Sequence, residues 1–404
     1  MAVGVAVGLL FPDSGGPGGF HASDLQILST LFLRMIKVMV VPLVFGMLVV
    51  GIAGHGDDLA RMGKLALRAF VYFEVVTALA LGVGLLVVNV VRPGRGVDLG
   101  EATTLPVTPP TIAALSVTGM LERLIPESVV DAAVRNDTLQ VTLFAIAFAV
   151  ALAGVGGPGK RVMLSFCESL NDVMLRFVGF VMACAPVGIG AAIAVTVGHS
   201  GLGVLAHLGV LVATLYGALI LFGLTVLLPI ALVSRVPLRQ FWRATREPWL
   251  VAFSTASSEA ALPLALRNME RLGVPRRIVS FILPAGYSFN MDGTSLYLSL
   301  AAVFVAQAAG IDLPLSTQLL LLGTLLITSK GMAAVPRVSI LVLAGALAQF
   351  GLPLQGVAVI LGVDVLMDMG RTSVNLLGNC LAAVVMARWE GSFTPVGDEL
   401  AVQS

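Results

Sequence analysis

The sequence contains few charged residues, since Asp, Glu, Lys and Arg together make up 12% of its 404 residues. A soluble globular domain carries about 25% charged residues, so this shortage argues against a soluble protein. The formal net charge is +1, which gives no electrostatic reason to expect nucleic acid as a partner. Hydrophobic residues account for 57% of the chain. We therefore predict an integral membrane protein, in which each spanning helix uses about 20 apolar residues.

Cysteine and histidine are also scarce. The three cysteines lie in apolar segments without CxxC or metal-ligand spacing, so we expect them to pack as small hydrophobic side chains. The four histidines are far in sequence from the polar motifs, and no GxSxG motif accompanies Ser257 and Ser258. Residues 154–160 resemble GxxxxGK, but Arg161 replaces the Ser or Thr that ligates Mg²⁺. We predict no enzyme, and neither a catalytic nor a metal site.

Long apolar runs suggest the membrane spans. They occupy residues 25–54, 65–91, 129–154, 162–197 and 204–233. Several exceed the length that a perpendicular helix needs, which predicts tilted or bent helices. Residues 1–12 are too short to span and lack the charged start of a signal peptide, so we interpret them as the end of a first span. Connections rich in basic residues alternate with poorer ones, and we place the basic set in the cytoplasm. The basic connections hold Arg61, Lys64 and Arg68, then Lys160 and Arg161, then Arg235, Arg239, Arg243 and Arg246.

After Pro248 the apolar runs are interrupted. Small or polar residues interrupt them at 254–263 and 328–337, and Asn290, Asp292 and Gly293 break the run between these two stretches. Non-helical backbone at membrane depth persists only where protein buries it or where it lines a cavity. Two interrupted segments around a broken helix are typical of a transporter site built from helix ends. Kinked helices without a ligand are the alternative.

Near the C-terminus, residues 362–379 combine an apolar background with a polar stripe. At about 100° per residue, five polar side chains fall within roughly 80° of arc on one helix. They are Asp364, Asp368, Arg371, Asn375 and Asn379. Charges inside a membrane span are costly and face a cavity or a partner. Neutralisation of Asp368 by Arg371 would explain only two of the five, so we predict a binding site.

These motifs resemble those of the dicarboxylate/amino acid:cation symporter family, which includes the glutamate transporter homologues. The resemblance runs from residue 31 to Trp389 and rests on four motifs in order, at 257–259, 290–294, 329–336 and 368–375. It implies an all-α fold of eight transmembrane helices and two re-entrant helical hairpins, with inverted repeats. It also implies a homotrimer in the bacterial inner membrane that works as an elevator. The scaffold would comprise residues 1–60 and 93–200, the transport domain residues 61–92 and 201–390, and a cytoplasmic tail residues 391–404.

The resemblance also implies individual roles at the substrate site. Asp368 would bind the ammonium group of an acidic amino acid and Arg371 its side-chain carboxylate, which suits the planar guanidinium fork. The other implied substrate contacts are Ser257, Ser258, Thr294, Val335, Thr372 and Asn375. The implied lid residues are Ser329, Ala334, Pro336 and Arg337. Arg337 either supplies a positive charge near the substrate or extends to the lipid headgroups.

The coupling ion is predicted from departures from the family pattern. Sodium-coupled members have Asp at the position of Asn379 and Tyr at that of Glu74. Loss of a carboxylate weakens a sodium site, whereas desolvation in an apolar span favours protonated Glu74. No basic residue is apparent beside Glu74, although an ion pair is the alternative. The residues assigned to coupling are Glu74, Glu259, Asn290, Asp292, Asp364 and Asn379.

The resulting prediction is a proton-coupled symporter for L-glutamate and L-aspartate that uses no cofactor. A C4-dicarboxylate symporter, a sodium-coupled aspartate symporter and a passive anion channel are the alternatives. A pore does not need Asp368 one turn from Arg371, so the sequence favours a carrier over a channel.

Overall fold

The computed structural model describes residues 2–12, 21–54, 64–97, 128–135, 138–155, 157–200, 203–330 and 338–395. Within these ranges all regular elements are helical. The first half contains α1 (Ala2–Leu10), α2 (Gln26–Ala53), α3 (Lys64–Val91), α4 (Val129–Arg135), α5 (Thr138–Gly154) and α6 (Pro158–Ser200). A short 3₁₀ turn, Ala22–Leu25, precedes α2. The middle contains α7 (Gly203–Phe222), the π-helical turn Gly223–Leu227 and α8 (Leu228–Val233).

The second half alternates shorter helices with breaks. Its elements are α9 (Leu238–Thr255), α10 (Ser258–Leu272), α11 (Arg276–Phe289), α12 (Asp292–Ala308), α13 (Leu315–Thr328), α14 (Val338–Gln349), α15 (Gln355–Leu361) and α16 (Asp364–Trp389). Pro237, Pro275 and Pro314 directly precede α9, α11 and α13. Proline suits these positions, because the first turn of a helix leaves its N–H groups unpaired. Gly273 ends α10 with φ 104°, a left-handed conformation that favours glycine.

Several helices have the length and composition of a membrane span. In the described ranges, Lys64–Val91, Ala206–Val233 and Arg276–Ala308 are long and apolar enough to cross. The arms Pro158–Val181 and Pro186–Val195 form a fourth candidate if they count as one span, bent by 44°. Pro186 begins the second arm, and proline bends a helix by removing a backbone hydrogen bond. The predicted bending of long apolar runs is thus confirmed for α6.

Two sets of helices pack closely among themselves. In one set, α2 packs against the long α6 and against α5, and α1 packs against α6. In the other, α3 packs on α12 and α7, while α16 contacts α7, α9, α10, α11 and α12. Almost every residue of α12 is buried. Gly84 of α3 permits the close approach to α12, because a Cβ atom there would overlap Ser299 Oγ and the Leu296 carbonyl oxygen. The second set therefore encloses both α12 and the polar helix α16.

The first predicted interruption is a sharp turn between two helices. α9 ends at Thr255, Ala256 adopts the left-handed conformation with φ 49° and ψ 35°, and α10 follows. The sequence interpretation assigned Arg239, Arg243 and Arg246 to a connection, and this is wrong because α9 already begins at Leu238. The second interruption separates α13 from α14. Residues 331–337 lie outside the described residues, so the expectations for Ala334, Val335, Pro336 and Arg337 stay predictions.

Candidate functional site

The helix break between α11 and α12 is the centre of the site. Helix α11 ends at Phe289, and Asn290 and Met291 have ψ angles of 67°, far from the helical region. α12 then begins at Asp292. The predicted break is confirmed. At the break, carbonyl groups at the end of α11 and N–H groups at the start of α12 lack partners within their own helices. Such carbonyl groups favour cations, and such N–H groups favour anions.

Asn375 of α16 satisfies the start of α12. Its Oδ1 accepts hydrogen bonds from the backbone N–H groups of Gly293 at 2.8 Å and Thr294 at 3.2 Å. Its Nδ2 donates to Thr294 Oγ1 at 2.9 Å. Gly293 allows this contact, since a Cβ atom there would overlap the backbone of Arg371. Asn375 and Thr294, both predicted substrate contacts, therefore hold the broken helix against α16.

A second polar cluster lies one turn further along α16. Asn290 Nδ2 donates to Asp292 Oδ2 at 3.2 Å and to Asn379 Oδ1 at 3.0 Å. All three side chains are fully buried. Oδ1 of Asn290 and Oδ1 of Asp292 have no hydrogen-bond partner among the described residues. Gly378 makes room for the cluster, because a Cβ atom there would overlap Asp292 Oδ2. Asp292 carries the formal negative charge of this cluster, since the side chains of Asn290 and Asn379 are neutral amides.

Arg371 of α16 lies between two carboxylates. Its Nη1 is 3.1 Å from Asp364 Oδ1, and its Nε donates to Asp368 Oδ1 at 2.8 Å. The guanidinium carbon also lies 4.2 Å from the ring centroid of Tyr297 on α12. The Arg371 and Asp364 side chains are each 1% exposed. The ion pair between Asp368 and Arg371, the alternative to a binding site in the sequence analysis, is present, but it leaves this group of three with a surplus negative charge.

Asp368 is the accessible member of the trio. Its side chain is 13% exposed, and its Oδ1 also accepts a hydrogen bond from Thr372 Oγ1 at 3.2 Å. Asp364, by contrast, is enclosed with Arg371. In the structure Asp364 is the buried counter-ion of Arg371, and the role in ion coupling assigned to it from the sequence stays a prediction. Of the two carboxylates, Asp368 is therefore the one that is partly open to solvent.

Lys330 completes the site from the end of α13. Its Nζ lies 3.1 Å from Glu74 Oε1 and donates to Thr77 Oγ1 at 3.2 Å and to the Phe289 carbonyl at 3.1 Å. Lys330 is buried. The expectation that Glu74 has no basic neighbour is therefore wrong. Sequence reasoning missed Lys330, although the signal was present, because a lysine within an apolar membrane segment is as costly as the charges of α16.

The other residues predicted to contact the substrate or to form the lid, where the structure describes them, lie at or next to helix ends. Ser257 is the N-cap of α10, and its Oγ accepts from the Ala260 N–H at 3.3 Å. Ser258 is buried beside it. Ser329 Oγ donates to the Leu326 carbonyl at 3.2 Å. The Glu259 side chain lies outside the described residues. Substrate contacts of these residues stay predictions.

Comparison with known proteins decides the family. A match to the sodium:dicarboxylate symporter family covers residues 1–389. The chain belongs to this family. It is a membrane transporter and not an enzyme, in agreement with the sequence prediction.

Three of its bacterial relatives carry names that differ in substrate. The proton/sodium-glutamate symport protein of Bacillus subtilis (strain 168) is 41% identical over 404 residues, 99% of this chain and 93% of that protein. The proton/glutamate-aspartate symporter of the same organism is 41% identical over 397 residues, 97% and 94% of the two chains. A C4-dicarboxylate transport protein of Anaeromyxobacter sp. (strain K) is 42% identical over 399 residues, 97% and 88% of the two chains.

Proposed function

We propose that this transporter takes up L-glutamate or L-aspartate together with protons across the bacterial inner membrane. The observation that carries the proposal is the trio of Asp364, Arg371 and Asp368, in which the outer carboxylate is the accessible one. The relatives named as glutamate and glutamate-aspartate symporters support the same substrate class.

Substrate binding is an exchange of ion partners. The ammonium group of the substrate pairs with Asp368, and the side-chain carboxylate of the substrate takes the place of Asp368 on Arg371. A carboxylate binds the guanidinium through two parallel hydrogen bonds. Asp364 keeps Arg371 charged and oriented throughout, so the site needs no rearrangement of its buried ion pair. Thr372, which now donates to Asp368, is then positioned to hydrogen-bond the substrate.

Charge balance requires a co-transported cation. Among the described residues, the site contains four carboxylates, those of Asp364, Asp368, Asp292 and Glu74, but two cationic groups, those of Arg371 and Lys330. An acidic amino acid adds a further negative charge. Uncompensated charge in a low-dielectric site is strongly unfavourable, so substrate and cation bind together. With an amide at Asn379, we infer that protons supply this charge.

The two packed sets of helices correspond to a scaffold and a transport domain. We propose that α1, α2 and α4–α6 form the scaffold of a homotrimer and that α3 and α7–α16 move as the transport domain. The α9–α10 and α13–α14 pairs act as the re-entrant hairpins of an eight-span fold. The close packing of α3, α12 and α16 supports this division.

The proposed function is tested by uptake of radiolabelled aspartate into proteoliposomes. We expect uptake under an inward proton gradient without sodium, and little uptake under a sodium gradient without a proton gradient. Uptake that needs only the sodium gradient would overturn proton coupling.

Excess unlabelled succinate in the same uptake assay tests the alternative substrate class suggested by the C4-dicarboxylate relatives. Because Asp368 has no role toward a ligand without an ammonium group, succinate should compete at least tenfold less effectively than aspartate; equal competition would refute the amino-acid proposal.

Glu74 is the proposed proton carrier, with Lys330 as its partner at 3.1 Å. Asp292 also interacts electrostatically with Lys330, so the ammonium keeps a negatively charged neighbour when Glu74 is protonated. In Glu74→Gln the side chain is permanently neutral, and we expect proton-driven accumulation to fall at least tenfold. Counterflow exchange of aspartate, which needs no net proton movement, should be much less affected. If proton-driven uptake is unchanged in Glu74→Gln, another group carries the proton.

A further inference from the structure

The ammonium group of Lys330 is surrounded by three oxygen atoms from two separate elements. Thr77 Oγ1 and Glu74 Oε1 come from α3, and the Phe289 carbonyl comes from the break after α11. All three lie 3.1–3.2 Å from Nζ. Asp292, on the other side of the break, adds a second negative charge to the field at this ammonium. A hydroxyl, a carbonyl and a carboxylate are the ligands that hard metal cations prefer.

The Phe289 carbonyl explains why a cation belongs here. Phe289 is the last residue of α11, so its carbonyl has no intrahelical partner and lies at the negative end of the helix dipole. A buried carbonyl without a partner costs free energy. At the broken helices of transporters, such carbonyls bind the coupling ion. Here Lys330 satisfies the carbonyl with a charge covalently attached to the protein.

From this arrangement we infer that Lys330 is a tethered cation filling a latent binding site for an alkali-metal cation. The inference deepens the proposed proton coupling, because an ion site that the protein occupies with its own ammonium cannot be loaded from solution. It also gives Lys330 a mechanical role. The residue lies two positions after the last residue of α13, so its three contacts attach the end of this helix to α3 and α11.

Removal of the ammonium should expose the latent site. In Lys330→Ala, the oxygen atoms of Glu74, Thr77 and Phe289 lose their cation, and an alkali-metal ion can restore the charge. The probe is thermal unfolding of the purified full-length protein in sodium, potassium or choline chloride at equal ionic strength. We expect sodium or potassium to raise the Tm of Lys330→Ala by several degrees over choline, and to leave the wild-type Tm unchanged.

Matched variants make the test specific. Lys330→Met keeps most of the side-chain volume without the charge, so it should fill the site and show no metal-dependent shift. Addition of Thr77→Val to Lys330→Ala removes one oxygen ligand and should reduce the shift by at least half. If Lys330→Ala cannot be purified, Lys330→Ser opens the same space and carries the same expectation.

The inference is overturned if the cavity-opening variant responds to sodium, potassium and choline alike, or if wild type shows the same metal-dependent shift. No substrate is present in this measurement. A negative result therefore does not contradict the proposed substrate or proton coupling. Conversely, failure of proton-driven uptake does not contradict the proposal that Lys330 is a tethered cation.

Discussion

Replacement of Arg371 by alanine is expected to eliminate uptake of acidic amino acids and to destabilise the protein. The substrate loses a desolvated charge-assisted contact of about 2–5 kcal/mol, which corresponds to a loss of affinity of roughly 30-fold to several thousand-fold. Asp364, 1% exposed, loses its counter-ion at 3.1 Å. Breaking a buried ion pair in this way costs about 3–5 kcal/mol. Aspartate binding and thermal unfolding of the purified variant measure the two effects.

A double variant separates recognition from stability. Arg371→Gln alone leaves Asp364 as an isolated buried charge, whereas Asp364→Asn combined with Arg371→Gln leaves a neutral pair that can hydrogen-bond. We expect the double variant to regain most of the lost Tm without regaining aspartate affinity. If affinity and Tm return together, the role of Arg371 is structural. Wild-type aspartate affinity in Arg371→Ala would contradict the proposed substrate contact directly.

Replacement of Asp368 by asparagine is expected to remove recognition of the ammonium group while the fold is retained. Arg371 keeps Asp364 as its counter-ion, and an asparagine at position 368 can still accept the hydrogen bond from Arg371 Nε. We therefore expect a Tm loss well below that of Arg371→Ala. Aspartate affinity should fall by roughly 30-fold or more, the effect of about 2 kcal/mol. Competition by succinate, which has no ammonium group, measures whether the preference for amino acids has gone.

The control for this variant is Thr372→Val. It removes the hydrogen bond from Thr372 Oγ1 to Asp368 at 3.2 Å but leaves the carboxylate in place. This hydrogen bond orients the Asp368 carboxylate but contributes no formal charge toward the substrate, so aspartate affinity should fall less than in Asp368→Asn and the ratio to succinate should change little. An equal loss in the two variants would show that hydrogen bonding rather than charge recognises the substrate.

Much of the candidate site was predictable because its chemistry is local. The stripe from Asp364 to Asn379 follows from helical periodicity alone, and α16 carries it as one continuous helix. The break at Asn290 and Asp292 was equally predictable, since polar residues and glycine interrupt an apolar run at one point. Boundaries were less accurate. α9 begins at Leu238, within the basic stretch that was predicted to be a connection, because basic side chains that interrupt an apolar pattern do not interrupt a helix.

The sequence by itself therefore determined the membrane class, the broken helix and the polar residues that one helix presents on one face, because each follows from composition or from a short repeat. Only the tertiary structure decided which charges meet. Lys330 and Glu74 are far apart in the chain, yet they form an ion pair because α3 and the end of α13 pack at the same break. Pairing across such distances depends on how helices pack, and no local pattern specifies it. Likewise Asp364 and Asp368 are both carboxylates on one helix, but enclosure by neighbouring helices leaves one as a buried counter-ion and the other within reach of a ligand.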